Sequence, residues 1–217
     1  TSSLDSTAIA NMIASAGSGG CDFLYPEGYN GEPITQQVDQ NSPYVVPNGN
    51  HLYITEIHSI YNGIRFEING KTIGFDHNDN IHESNFPLIL NSGDLISTDN
   101  AVNSSTTFNG ILIQESLLVL PLTEDFSQNS PYVVPGGNNL YITEIQSSSG
   151  GDVIKINSKS IGNMYYDGFH KSNFPLILKS GDIISTDNTA NSTFNGYLAD
   201  EDYFAGSGSG GSSNSTS

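Results

Sequence analysis

The chain has 217 residues and sets 6 Lys plus Arg against 23 Asp plus Glu, for a formal net charge of −17 at pH 7. That balance repels nucleic-acid phosphates and anionic lipid surfaces, which excludes nucleic acid as a partner class. Its 1 Cys cannot close an intrachain disulfide, and no apolar run approaches the roughly 20 residues of a membrane helix, so membrane insertion is not expected.

The chain begins at Thr1 without a basic, apolar leader, which reads as a processed mature protein, secreted to the cell surface or the extracellular space. In residues 1–30, Asp5 or Ser6 can cap a short helix whose apolar Ile9, Met12 and Ile13 follow helical spacing, and Gly17 ends it. A helix of two to three turns is marginal alone, so it must dock on something. The segment that follows, Cys21-Asp22-Phe23-Leu24-Tyr25-Pro26-Glu27-Gly28, is too aromatic for an idle linker and reads as an anchoring strap. Ile9, Met12, Ile13, Cys21, Phe23, Leu24 and Tyr25 are therefore the candidate interface to neighbouring copies of the chain. Folding back onto the chain's own domains is the alternative.

From residue 31 the pattern changes to strands. Ile64-Arg65-Phe66-Glu67-Ile68 alternates apolar with polar at period two, and Asn69-Gly70 then joins it to Lys71-Thr72-Ile73 as a hairpin. Val46-Pro47-Asn48-Gly49 and Ser92-Gly93-Asp94 suit tight turns. Runs bounded by these turns give seven or eight short strands: 34–38, 44–46, 52–57, 64–68, 71–73, 88–90, 95–98 and 108–113. Phe86, Leu88, Leu90 and Ile96 are the core candidates on alternation.

The same text then returns. Pro43 in Ser-Pro-Tyr-Val-Val-Pro recurs as Pro131, 88 residues later, and the register holds without a gap to the two copies of Ser-Thr-Asp-Asn at 97–100 and 185–188. Solenoid repeats have periods of only about 20 to 50 residues, so this is duplication of a whole domain. Residues 31–116 make one β-sandwich, residues 117–205 a second, and Phe174, Leu176, Leu178 and Ile184 are its matching core candidates. The fold expected is all-β, two tandem antiparallel β-sandwich domains of jelly-roll type with a short N-terminal helix. Between the copies, Leu117-Leu118-Val119-Leu120-Pro121-Leu122 is apolar where a flexible linker would be Gly/Ser-rich, so the domains should pack rigidly together. Residues 206–217, GSGSGGSSNSTS, form a Gly/Ser-rich tail.

Chemistry-bearing residues are sparse. Asp76-His77-Asn78-Asp79-Asn80 packs oxygen donors closely, making Asp76 and Asp79 the candidate metal ligands and calcium the cation they would take. It lacks the Gly and terminal Glu of an EF-hand, and its counterpart at 164–168 keeps a single carboxylate. Of the five His, only His82 recurs, as His170, beside Ser-Asn-Phe-Pro. No nucleophile elbow, phosphate loop or zinc-protease motif occurs, so neither a catalytic set nor a bound cofactor is expected. Asn103, Asn191 and Asn214 begin glycosylation sequons.

The string YVVPxGxxLYITEI followed by SNFPLIL, SGDxIS and FNG resembles the jelly-roll modules of bacterial extracellular and fibre-type proteins across both repeats. Cupins share the Pro-x-Gly and Gly-Asp turns, but their metal-binding His and Glu set is missing. The resemblance implies a structural subunit of an extracellular filament or cell-surface assembly, polymerising with copies of itself through its terminal segments. The alternative is a carbohydrate-binding or adhesive module whose partners are surface glycans, its 11 Tyr stacking on sugars. An enzyme is the weakest of the three.

Overall fold

The computed structural model describes residues 23–59, 64–75, 81–82, 87–99, 106–147, 151–163 and 175–204. The expected N-terminal helix, with Ile9, Met12, Ile13 and Cys21, lies outside them. So do Asp76, Asp79, Phe86, Phe174 and the tail. Every regular element among the described residues is a strand.

In the first repeat the strands are β1 (Glu32–Val38), β2 (Tyr44–Val45), β3 (Asn50–Ser59), β4 (Arg65–Ile68), β5 (Lys71–Phe75), β6 (Ile81–His82), β7 (Leu88–Leu90), β8 (Leu95–Thr98) and β9 (Thr106–Gln114). In the second they are β10 (Val119–Phe126), β11 (Tyr132–Val133), β12 (Asn138–Ser147), β13 (Val153–Ile156), β14 (Lys159–Asn163), β15 (Leu176–Leu178), β16 (Ile183–Thr186) and β17 (Ser192–Asp200). Each repeat folds into two antiparallel sheets. The first has the order β1-β9-β3-β6 with β7 also on β3, facing β2-β8-β4-β5; the second has β10-β17-β12-β15 facing β11-β16-β13-β14. The register repeats as well: Tyr53 lies opposite Ile89 and Tyr141 opposite Ile177.

Period-two alternation decides what enters each sandwich. In β3, Leu52 and Ile54 point inward to a core with Phe66, Ile68, Leu88, Leu90, Ile96 and Phe108, whereas Tyr53 points outward. The second core repeats this with Leu140, Ile142, Ile154, Leu178, Ile184 and Phe194. Leu176 is only partly buried, unlike its counterpart Leu88, because the second sandwich lies across β7 and no described strand lies across β15. Burying each such side chain fully contributes about 1.5–3 kcal/mol.

The turns follow their chemistry. Asn69 and Gly70 both have positive φ (53° and 75°), as a type I′ hairpin requires, and Asn157-Ser158 makes the same turn at 50° and 66° without a glycine. Each Asn also pins its hairpin to the Gly-Asp turn of the same sheet: Asn69 donates to Asp94 at 2.7 Å and Asn157 to Asp182 at 2.7 Å. In β3 and β12 a bulge breaks the register between Ile54 and Glu56 and between Ile142 and Glu144. The bulge sets Thr55 and Thr143 on the outer face, beside β9 and β17.

The apolar stretch at 117–122 behaves differently from a linker. From Val119 it is already β10, paired along its length with β17. One face of β10 joins the second core through Leu122 and Phe126, and Val119 on the other face packs against the first repeat, whereas Leu117, Leu118 and Leu120 are exposed.

Candidate functional site

The two sandwiches meet through unlike surfaces. The first presents its edge strands β5 and β7; the second presents the outer face of the sheet formed by β10, β17 and β12. Phe194 enters the second core, so Asn195 next to it points out of the sandwich, toward that edge. Its amide grips the open backbone of β7 from both sides: Ile89 N–H donates to Asn195 Oδ1 at 2.8 Å, and Asn195 Nδ2 donates to Ile89 O at 2.9 Å. Asn195 Nδ2 also donates to Thr123 Oγ1 at 3.0 Å, and the bulged Thr143 donates its hydroxyl to Asn195 Oδ1 at 3.2 Å. Asn195 is fully buried. A strand edge left bare here would bury two unsatisfied peptide groups, and this side chain supplies both missing partners.

Beside the clamp, Lys71 at the start of β5 donates to Thr123 O at 2.7 Å and to Glu124 Oε2 at 2.8 Å. Ile89, fully buried, and Ile113, Val119, Tyr141, Tyr197 and Ala199 complete an apolar cluster that belongs to both repeats.

The aromatic strap closes this junction. Residues 23–29 lie across both sandwiches of their own chain: Phe23 stacks on Tyr141 with ring centroids 5.7 Å apart, and Tyr25 stacks on Tyr53 at 5.5 Å. Tyr197 donates its hydroxyl to Phe23 O at 2.8 Å, and Tyr203 to Pro26 O at 3.0 Å. Glu27 anchors the strap. Its carboxylate accepts from Tyr53 Oη at 2.9 Å and from Ser116 N–H at 2.6 Å, and His51 Nδ1 lies 2.7 Å from it. Burial first, then the charge of Glu27, raises the Tyr53 phenol far above its ordinary value near 10. Burial also raises Tyr141, against an opposing hydrogen bond from Asn139.

Of the residues singled out on sequence, Phe23 and Tyr25 are thus found at the junction within one chain, with Leu24 between them in the strap, while Asp76 and Asp79 fall outside the described residues. Among the described residues no group of three or more His, Cys, Asp and Glu could hold a metal ion. His51, passed over for lack of a counterpart, is a partner of Glu27. A second unforeseen group centres on buried Asp152, which accepts from the hydroxyls of Ser147 and Ser192 and from Asn188 Nδ2, closing the end of the second sandwich. Glu27 did carry a signal: it is the one charged residue between Asp22 and Glu32, set among four aromatic or proline neighbours. A carboxylate placed there needs donors close by.

No protein-family model matches the sequence, and no curated protein matches it. Among solved structures, a similar chain is a conserved protein of unknown function from Pseudomonas aeruginosa PAO1, with a TM-score of 0.28 and 9% identity over 80% of this chain and 92% of that one. At that TM-score the likeness carries no argument about fold details or activity.

Proposed function

We propose that this chain is a structural subunit of an extracellular filament or cell-surface assembly, and that it works by packing and not by catalysis. The observation that carries the reading is the junction, where two copies of one module are joined through different surfaces, an edge against a face. A contact between unlike surfaces is heterologous, and a heterologous contact leaves one unused copy of each surface at the two ends of the pair. The polar groups at the junction support the same reading, since Glu27, Asn195 and Lys71 all spend their hydrogen bonds holding backbone and strap in place.

The glycan-binding alternative draws less support. Tyr53, Tyr141 and Tyr197 are buried in the junction and cannot stack on a sugar, which leaves Tyr29 as the one mostly exposed tyrosine among the described residues.

The test is the state of association of the full chain, followed by sedimentation velocity over a wide concentration range and by electron microscopy of negatively stained material. Species that grow with concentration into extended particles support the reading. A monodisperse monomer at every concentration refutes it.

A further inference from the structure

The two unused surfaces can be identified residue by residue. On the plug side, β14 and β15 of the second repeat correspond to β5 and β7 of the first. Ile89 is 0% exposed and Ile73 1%, but their counterparts Ile177 and Ile161 are 54% and 39% exposed. β15 pairs with β12 alone among the described strands, so no described strand completes its outer edge, and Ile177 holds the register position that Ile89 holds in β7. Lys159 starts β14 where Lys71 starts β5.

On the socket side, the outer face of β1, β9 and β3 corresponds to that of β10, β17 and β12. Asn109 matches Asn195 in the shared Phe-Asn-Gly, Thr35 matches Thr123, and bulged Thr55 matches Thr143. Asn195, Thr123 and Thr143 are buried, whereas Asn109 and Thr35 are exposed and Thr55 half-buried. The residues of the clamp nevertheless already touch, with Asn109 facing Thr35 through Oδ1 where Asn195 faces Thr123 through Nδ2. Thr35 donates its hydroxyl to Asn109 Oδ1 at 2.6 Å, and Thr55 donates to Asn109 O at 3.3 Å, the same contact and distance that Thr143 makes with Asn195 O. Asn109 Nδ2 meanwhile rests on Glu56 Oε2 at 3.2 Å. The aromatic half of this face is covered by the strap in both repeats, by Tyr25 over Tyr53 and by Phe23 over Tyr141. Only the polar half differs between them, covered in the second repeat and open in the first.

We propose that the open β14/β15 edge of one chain docks on the outer β1-β9-β3 face of a second copy, repeating between chains the junction that joins the two modules within a chain. This rests on the reading of the chain as an assembly subunit, and it names both surfaces. On docking, Asn109 turns its amide from Glu56 to the backbone of Ile177, accepting from the N–H and donating to the C=O. Lys159 takes the place of Lys71, donating to Thr35 O and to the Gln36 amide oxygen. Gln36 stands where Glu124 stands in the intrachain junction, so the contact between chains lacks that ion pair and is the weaker of the two. Local charge still favours it, because Lys159 and Lys179 flank the plug while Glu56 lines the socket. Each docked copy presents a fresh edge and a fresh face, so the contact propagates head to tail.

The experiment uses two variants of the full chain. Asn109→Lys blocks the socket with bulk and a charge that repels Lys159, and Ile177→Asp blocks the plug with a charge that repels Glu56. Both sites are exposed, and melting curves establish that each variant is folded. If Ile177→Asp disturbs the strand, Ile177→Thr keeps the β-branched shape and replaces it. By sedimentation velocity each variant alone should stay monomeric, its onset of association raised at least about tenfold, the scale of two lost hydrogen bonds. An equimolar mixture of the two should stop at a dimer, because only one intact plug and one intact socket remain. Variants that assemble like the unmodified protein overturn this interface while leaving the assembly reading standing. An unmodified chain that never associates overturns both.

Discussion

Asn195 and Asn109 offer a measurement in which the same substitution, at equivalent positions of two copies of one module, should give very different results. Asn195→Ala removes the partners of two buried peptide groups, the N–H and C=O of Ile89, and of two threonine hydroxyls. The hydroxyls can turn toward other acceptors, but the peptide groups are fixed in β7. Leaving a buried polar group unsatisfied costs about 1–3 kcal/mol, so the pair should cost about 2–6 kcal/mol. Asn109→Ala breaks only bonds at an exposed surface, to Thr35 and Glu56, and should stay within about 0.5 kcal/mol of the parent. Urea denaturation under dilute conditions is the assay. With a denaturant slope of about 2 kcal/mol per molar, a 4 kcal/mol loss moves the midpoint by about 2 M and is easily resolved. If Asn195→Ala falls within about 1 kcal/mol of the parent, the amide is not what satisfies the β7 edge. If Asn109→Ala costs as much as Asn195→Ala, burial at the junction is not what separates the two.

Three further outcomes follow from the packing. Leu88→Ala should cost about 2–5 kcal/mol and Leu176→Ala distinctly less, since the first is fully buried and the second only partly; the same denaturation assay ranks them. Ser158→Gly should stabilise the protein by about 0.5 kcal/mol, because relief of a left-handed serine at φ 66° outweighs the added freedom of glycine in the unfolded chain; a rise in melting temperature checks this. Tyr44, Tyr53, Tyr132 and Tyr141 all have phenol pKa values raised, mainly by burial. A raised pKa favours the protonated folded form, so stability from these groups is complete below the ordinary value near 10 and is lost as pH rises above it. Denaturation curves from about pH 9 to about pH 12, read with phenolate absorbance, should show unfolding and ionisation appearing together.

The strands were legible because their signals are local. Alternation in Ile64–Ile68, the Asn-Gly turn and the Val-Pro-x-Gly turn depend only on neighbours along the chain, and all three hold in the fold. The junction was not legible, because its central pieces, the Leu-Ile-Leu edge and the Phe-Asn-Gly clamp, occur in both copies. Leu-Ile-Leu occurs at 88–90 and at 176–178, yet its central isoleucine is 0% exposed in one and 54% in the other. Within three residues of that isoleucine they differ only at Asn91 and Lys179; what decides the burial is which module lies across the edge. The setting of Glu27 hinted that it needs donors, but its partners His51, Tyr53 and Ser116 are brought to it by the fold and not by sequence spacing. The apolar run at 117–122 is from Val119 onward the first strand of the second sandwich, paired with β17, and only Val119 and Leu122 of its aliphatic side chains pack into a core.

The choice of asparagine at the clamp follows from the geometry of an edge meeting a face. β7 approaches across β10, β17 and β12, so no single strand of the second sheet lies alongside it to complete a ladder. Its outward N–H and C=O must be met by a side chain rising from the sheet, and that side chain must offer a donor and an acceptor side by side. Asparagine does so at the shortest reach, its amide reproducing the peptide group that a neighbouring strand would have supplied. Aspartate of the same length has no donor for Ile89 O, and serine, shorter and with a single oxygen, cannot present a donor and an acceptor on separate atoms side by side. Glutamine carries the right chemistry on a longer stem, which would hold the sandwiches apart and uncover the packing of Ile89 against Tyr197. The small residues beneath serve the same contact: a Cβ at Gly196 would collide with the carbonyl oxygen of Tyr141, and one at Gly110 with that of Tyr53. Each Phe-Asn-Gly therefore places a core anchor, an edge clamp and a close strand approach in consecutive positions. That sequence is complete in the first repeat too, where the clamp faces solvent, ready for an edge of the same shape.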